Sequence, residues 1–258
     1  MLFRSGNRIA IARRLGCRPE RLLEASASLV PFGPPARLRQ VLRRAVAGGG
    51  APGGTLSAWG FRHGALALRD YPDRGHAALR QVIADLHRLD PAAVLPGNGA
   101  AELFTWAARD AAVAGISLLP SPGFADYRRA LACWGGHWQL LPLPLQWGDA
   151  FPQAFPLEPP AISGLESAAV LWITNPHNPS GQLWSRASLE PLLERFALVI
   201  VDEAFLPLVP GGEAQSLIPL LAAHPNLVVI RSLTKLFAIA GLRLGYALAA
   251  PEIGRAHV

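Results

Sequence analysis

Ala168-Ala169-Val170-Leu171-Trp172-Ile173-Thr174, Leu198-Val199-Ile200-Val201 and Leu227-Val228-Val229-Ile230-Arg231 are short and almost wholly apolar. Each run is rich in Val, Ile or Leu and too short for an ordinary helix, so it reads as a strand buried on both faces. Between them lie Arg186 to Phe196 and Ser216 to Ala223, where apolar residues recur at helical spacing. Buried strands separated by helices predict a mostly parallel sheet with helices on both faces, an α/β architecture. Ligands of such sheets sit beyond the carboxyl ends of the strands. The polar clusters fall there: Gly97-Asn98-Gly99, Asn175 to Gly181, Asp202-Glu203 and Ser232 to Lys235.

Outward from this centre the alternation continues. Upstream, Arg74 to Leu89, Gly99 to Val113 and Phe124 to Trp134 read as helices, with strands at Ile116 to Leu119 and Trp138 to Leu141. Pro144 to Pro160 is a proline-rich connection, and downstream Leu242 to Ala249 reads as a strand. Near the start, Asn7 to Leu15 forms a helix stopped by Gly16, Pro31 to Pro35 breaks the chain, and Ala36 to Ala47 is helical again. Gly48 to Gly54 is a glycine-rich loop, and no pattern follows it until Tyr71. Residues 6–47 thus form an N-terminal segment and 48–251 a large domain. Met1 to Ser5 and Glu252 to Val258 match the translation of a sequencing adaptor read from its two strands, so the natural sequence is expected to cover Gly6 to Pro251.

Composition narrows the function. At 258 residues, 51% hydrophobic and 16% charged, the chain can bury a sizeable core. Its net charge of +6 comes from scattered arginines with no aromatic interleaving, which argues against nucleic acid. Cys17 and Cys133 form no CxxC pattern and the histidines show no ligand spacing, so no metal is expected. No apolar run is long enough to span a bilayer and no signal-peptide core is present, so the expected location is the cytoplasm, with no membrane partner.

Of the 24 basic residues, 23 are arginine and one, Lys235, is lysine. Where positive charge alone sufficed, arginine was acceptable; a surviving lysine either remained by chance or serves chemistry that a guanidinium cannot do. An amine can lose its proton and condense with an aldehyde. That points to pyridoxal 5'-phosphate (PLP), which needs an amine, an anion at its ring nitrogen, a donor to its phenolate oxygen, a stacking partner and a phosphate cradle. Asp202, at a strand end, is a candidate for the ring nitrogen, although such residues more often cap or form salt bridges. Asn178, in the turn Asn175-Pro176-His177-Asn178-Pro179-Ser180-Gly181, can donate to the phenolate, and the same composition serves ordinary turns. Gly99-Ala100-Ala101 opens a helix whose N–H groups face an anion. Ser232 and Arg243 flank Lys235 with phosphate-binding side chains. Phe124 can stack on the ring or belong to the core.

The order Tyr71-Pro72, Gly97-Asn98-Gly99, Pro122-Gly123-Phe124, Asn178-Pro179-Ser180-Gly181, Asp202-Glu203-Ala204-Phe205 and Ser232-Leu233-Thr234-Lys235 through Gly241-Leu242-Arg243-Leu244-Gly245-Tyr246 resembles the fold-type I, class I/II aminotransferase superfamily of PLP enzymes. The resemblance covers Gly6 to Pro251 and implies a PLP-transferase large domain, with a C-terminal small domain missing. It implies that Lys235 holds the cofactor covalently, Asp202 pairs with the ring nitrogen, and Asn178 contacts the phenolate oxygen. Ser232, Arg243 and the helix start at Gly99, Ala100 and Ala101 bind phosphate, Phe124 stacks, and Tyr71 reaches the phosphate of a second subunit in a homodimer.

Within the superfamily the sequence is most similar to the L-threonine O-3-phosphate decarboxylases of cobalamin biosynthesis, with histidinol-phosphate aminotransferases as close relatives. Pro122-Gly123-Phe124-Ala125-Asp126-Tyr127, Asp202-Glu203-Ala204-Phe205 and Arg231-Ser232-Leu233-Thr234-Lys235-Leu236-Phe237-Ala238-Ile239 carry this likeness. Gly6-Asn7 resembles the end of a glycine-rich segment that contacts substrate phosphate. Two positions depart from the pattern. Phe205 stands where many aminotransferases have a tyrosine that donates to the phenolate, and Ser28 and Val30 precede Pro31-Phe32-Gly33 where asparagine is usual. The resemblance implies decarboxylation of threonine phosphate to (R)-1-amino-2-propanol phosphate. The alternatives are a histidinol-phosphate-type aminotransferase and an inactive fragment, because the family's carboxylate-orienting arginine lies in the C-terminal domain.

Overall fold

The computed structural model describes residues 7–23, 27–47, 71–144, 148, 150–156 and 168–254. Two helices come first, α1 (Arg8–Leu15) and α2 (Ala36–Ala47). Asn7 caps α1, its Oδ1 accepting from the Ala10 N–H at 3.1 Å, and Gly16 closes the helix in the left-handed conformation. The glycine-rich loop and the patternless stretch before Tyr71 lie outside the described residues, as does Gly6.

The large domain then runs α3 (Ala77–His87), β1 (Val94–Gly97), α4 (Ala100–Ala114), β2 (Ile116–Ser121), α5 (Asp126–Ala132), β3 (Trp138–Pro142), β4 (Ala168–Thr174), α6 (Arg186–Leu189), β5 (Leu198–Asp202), β6 (Leu227–Ser232), α7 (Leu233–Leu236), β7 (Gly245–Ala249) and α8 (Pro251–Gly254). The strands form one seven-stranded sheet in the order β1-β7-β6-β5-β4-β2-β3. β7 is antiparallel to both its neighbours and the remaining pairs are parallel, as the buried runs predict.

Successive residues of the central strands enter two separate cores. Leu171, Ile173, Val199, Val201 and Val229 pack on one face with Ile83 of α3, Leu189 of α6 and Leu192. Val170, Trp172, Leu198, Ile200 and Ile230 pack on the other with Leu103 and Phe104 of α4 and Leu131 of α5. This period of two explains why the runs are apolar throughout: each residue faces one helical layer or the other. Each buried Leu, Ile or Val contributes about 1.5–3 kcal/mol.

Among the differences from the sequence pattern, four have a local cause. β1 was not visible in it, because Pro96 interrupts the run; an edge strand tolerates the missing donor. Arg186 to Phe196 is helical only to Leu189 and then tightens to a 3-10 turn at Glu190–Glu194, where Pro191 has no N–H to continue the α ladder. Ser216 to Ala223 contains only the 3-10 turn Ile218–Leu220: Pro219 interrupts it, and Leu217 N–H bonds to Glu203 at 2.8 Å. The last strand starts at Gly245, not Leu242, because the chain reverses through a 3-10 turn at Ala240–Leu242 and a left-handed Arg243 (φ 52°).

Candidate active site

Because β7 alone is reversed, the carboxyl ends of β1, β4, β5 and β6 and the amino end of β7 share one rim of the sheet. Asp202 ends β5 there, 6% exposed. Its Oδ2 accepts from the Tyr127 hydroxyl at 2.8 Å and its Oδ1 from the Ala204 N–H at 3.0 Å. Burial raises its pKa to about 6, against the lowering effect of these two bonds and of Lys235. Burial and the neighbouring Asp202 hold the Tyr127 phenol well above its ordinary pKa, so it stays a donor. Its single proton goes to Asp202, and the Thr174 hydroxyl, 2.7 Å away, donates to Tyr127 in turn.

Lys235 lies on α7, directly after β6, half-buried, with Nζ 5.6 Å from the centroid of the Phe205 ring. Burial, and then the positive charge of Arg243, lower its pKa, while Asp202 works in the opposite direction. Ser232 Oγ and Thr234 Oγ1 are 2.8 Å apart at the start of the same turn. Gly99 caps α4 with φ 82°, and a Cβ there would lie 2.8 Å from Arg243 Nη2. The helix start and the guanidinium therefore abut. Gly245 of β7 makes this possible: a Cβ on it would meet the Arg231 carbonyl at 2.9 Å and Ala100 N at 3.0 Å. The N-terminal end of α4, the positive end of its dipole, is thus seated against β6 and β7, next to the turns that carry Lys235 and Arg243, while the Gly99 N–H donates to the Gly97 carbonyl at 2.8 Å.

Phe124 is partly exposed and packs edge-on against Tyr127, ring centroids 5.5 Å apart. Asn178 is half-buried in the turn after β4. Asn175 builds that turn, exchanging two hydrogen bonds with the Trp184 backbone at 2.9 and 3.0 Å. Tyr71 is fully exposed, and Asn7 is the cap of α1. The fold thus gathers Asp202, Lys235, Phe124, Ser232, Arg243, Gly99 and Ala100 on one rim, and nothing in the single chain ties Tyr71 or Asn7 to them. Tyr127 and Thr174 were not singled out from sequence. The available signal was a tyrosine three residues after Phe124, one helical turn on, whose hydroxyl requires a partner if buried.

The sequence model of the family described as Aminotransferase class I and II matches residues 65–257. The chain belongs to the class I and II aminotransferase family. This family is PLP-dependent. The threonine-phosphate decarboxylase of Salmonella typhimurium is 31% identical over 266 residues, covering 98% of this chain and 63% of that protein. The histidinol-phosphate aminotransferase of Brevibacillus brevis is 32% identical over 192 residues, covering 73% of this chain and 50% of the relative. The crystal structure of histidinol-phosphate aminotransferase from Sinorhizobium meliloti in complex with pyridoxal-5'-phosphate shares the fold, with a TM-score of 0.76 at 23% identity over 99% of this chain and 62% of that one. The chain therefore spans about half to somewhat under two thirds of the length of these aminotransferase-family relatives.

The residues present fit the family cofactor. Asp202 is a buried carboxylate, held neutral by burial up to about pH 6, that a cationic ring nitrogen would ionise. The bare Gly99 lets the Arg243 guanidinium lie against the start of α4, so that the guanidinium and the helix N–H groups can serve one anion. Among the described residues no helix is long and apolar enough to cross a membrane, and no cluster suited to a metal ion occurs.

Proposed function

We propose that the protein acts on phosphorylated amino acids through PLP, as a decarboxylase converting L-threonine O-3-phosphate to (R)-1-amino-2-propanol phosphate in cobalamin biosynthesis. In this reading Lys235 binds the cofactor covalently, Asp202 holds the ring nitrogen protonated, and Asn178 donates to the phenolate oxygen. Ser232, Arg243 and the N–H groups at Gly99, Ala100 and Ala101 bind the phosphate, and Phe124 lies against the ring. PLP supplies an electron sink for the pair left on the substrate α-carbon when a bond there breaks.

The chain's own groups suit these tasks. A Lys235 amine whose pKa is lowered by burial and Arg243 is neutral more often at neutral pH, so it can attack a carbonyl and afterwards carry a proton. Asp202 beside a cationic ring is an ionised, doubly hydrogen-bonded acceptor that cannot rotate away. Asn7 offers its amide N–H to a substrate phosphate, beside Gly6, while its oxygen caps α1. Tyr71, exposed in the single chain, reaches the phosphate of a partner subunit in a homodimer with shared active sites.

The observation that carries the decarboxylase reading is the apolar Phe205 ring beside the Lys235 amine, where a phenol would donate to the cofactor oxygen. The match to the Salmonella typhimurium decarboxylase over 98% of the chain supports it. Aminotransfer is the second reading, favoured by the comparable identity to the Brevibacillus brevis protein. Incubation with PLP and threonine phosphate separates the two. Release of CO2 without a keto acid is the expected result. Keto acid formed only with 2-oxoglutarate identifies an aminotransferase instead, and PLP bound at Lys235 without turnover of either kind leaves a cofactor-binding fragment.

A further inference from the structure

On the sheet face opposite Asp202, the residues beside the site residues form a buried charge cluster. Glu203 follows Asp202 and is fully buried; Arg231 precedes Ser232 and is 3% exposed. Arg231 Nη2 lies 2.7 Å from Glu203 Oε2 and its Nε donates to the same oxygen at 2.9 Å. On its other side Arg231 donates through Nη1 and Nη2 to both oxygens of Glu213 at 2.7 and 3.0 Å, a two-point grip, and Nη2 also donates to Ser216 Oγ at 3.0 Å. Ser216 Oγ and the Leu217 N–H, each at 2.8 Å, satisfy Glu203. Burial disfavours the guanidinium charge, and the two carboxylates outweigh it, so Arg231 is firmly cationic.

Stability alone is a poor explanation for this cluster, since apolar residues of similar volume generally stabilise a core as well as a buried ion pair does. What an ion pair adds is direction. The β5–β6 ladder ends at Asp202↔Ile230, where the Glu203 N–H still donates to the Ile230 carbonyl at 2.9 Å, and the ion pair adds a side-chain tie between the two strand ends. Arg231 also pairs with Tyr246 across the β6–β7 ladder, next to Gly245, where a Cβ would meet both the Arg231 carbonyl at 2.9 Å and the start of α4 at Ala100 N, 3.0 Å away.

We propose that Arg231, clamped between Glu203 and Glu213, is a positioning residue that sets the separation of Asp202, Ser232–Lys235 and the α4 start, and so the fit of PLP. The proposal rests on the PLP reading of the site. It predicts that loosening the clamp weakens cofactor binding without unfolding the protein. In the double variant Glu203→Gln with Arg231→Met, the Gln oxygen can still accept from the Leu217 N–H, its amide N–H can donate to Ser216 Oγ, and no buried charge is left alone. Its unfolding temperature without cofactor should stay near that of the unaltered protein. Its PLP affinity should fall by about tenfold or more, with a weaker visible circular-dichroism band of the bound cofactor. PLP affinity within about twofold of the unaltered protein, with the same dichroism, overturns the proposal, because a purely structural role moves only the unfolding temperature. Glu213→Ala provides the second measurement if the double variant does not fold. Glu213 is 58% exposed at its side chain, so its removal spares the core and loosens one side of the clamp. An affinity loss of about threefold is expected, and unchanged affinity again refutes the clamp. If the unaltered protein does not take PLP at Lys235, the functional reading falls and this inference with it; if it does and the variants match it, only the clamp fails.

Discussion

Lys235 is the only amine-bearing side chain in the sequence, which makes its assignment simple to test. Borohydride reduction in the presence of PLP should fix one cofactor mass to the peptide containing Lys235, and Lys235→Ala should abolish that adduct in mass spectrometry. Asp202 makes a prediction about pH. Its pKa in the folded protein without cofactor is about 6, raised by burial from an ordinary 3.8. The folded state then holds the proton more tightly than the unfolded chain does. The resulting stability is fully present below pH 3.8 and is lost as pH rises through about 6, a contribution of about 3 kcal/mol. Urea titrations from pH 4 to 8 should show this decline in the cofactor-free protein, and Asp202→Asn should flatten it. Tyr127→Phe removes a bond that lowers the Asp202 pKa, so the end of the decline should move above pH 6. An unmoved end would show that the Tyr127 hydroxyl does not act on Asp202.

At the scale of elements, the proposed phosphate site depends on how closely α4 approaches β7. Gly245→Ala places a methyl group among backbone atoms of Arg231, Ala100 and Gly99, none of which can rotate aside. The start of α4 must shift, at a cost of about 1–3 kcal/mol in a urea titration, with a loss of affinity for PLP that exceeds the loss for pyridoxal lacking the phosphate. Equal losses for both compounds would mean that α4 does not bind the phosphate. The elements themselves were readable where periodicity is unbroken. α2 and β4 match their sequence patterns at both ends, because no proline or glycine interrupts them. β1 and the segments holding Pro191 and Pro219 did not match, since a missing N–H alters local hydrogen bonding in a way that apolar spacing does not record.

For the whole molecule, the proposed homodimer predicts complementation. Lys235→Ala and Tyr71→Phe chains, each deficient in cofactor binding alone, should regain it when unfolded and refolded together, because one site of the mixed dimer then has Lys235 from one chain and Tyr71 from the other. Sedimentation at twice the chain mass should accompany the recovery. No recovery, with a dimer present, would place Tyr71 outside the partner's site.

The sequence by itself determined the α/β class and the rim where the polar clusters gather, and it singled out Lys235 and Asp202 as candidate site residues. Those features are local: an apolar run, a turn after a strand, one lysine among arginines. Tertiary structure alone decided that β7 runs against its neighbours, that Arg243 meets Gly99 from 144 residues away, that Tyr127 holds Asp202, and that Glu203 and Arg231 pair behind the sheet. Each joins residues distant in the chain through a hydrogen bond or close contact. Composition and periodicity record which face a residue prefers, not which partner it meets there.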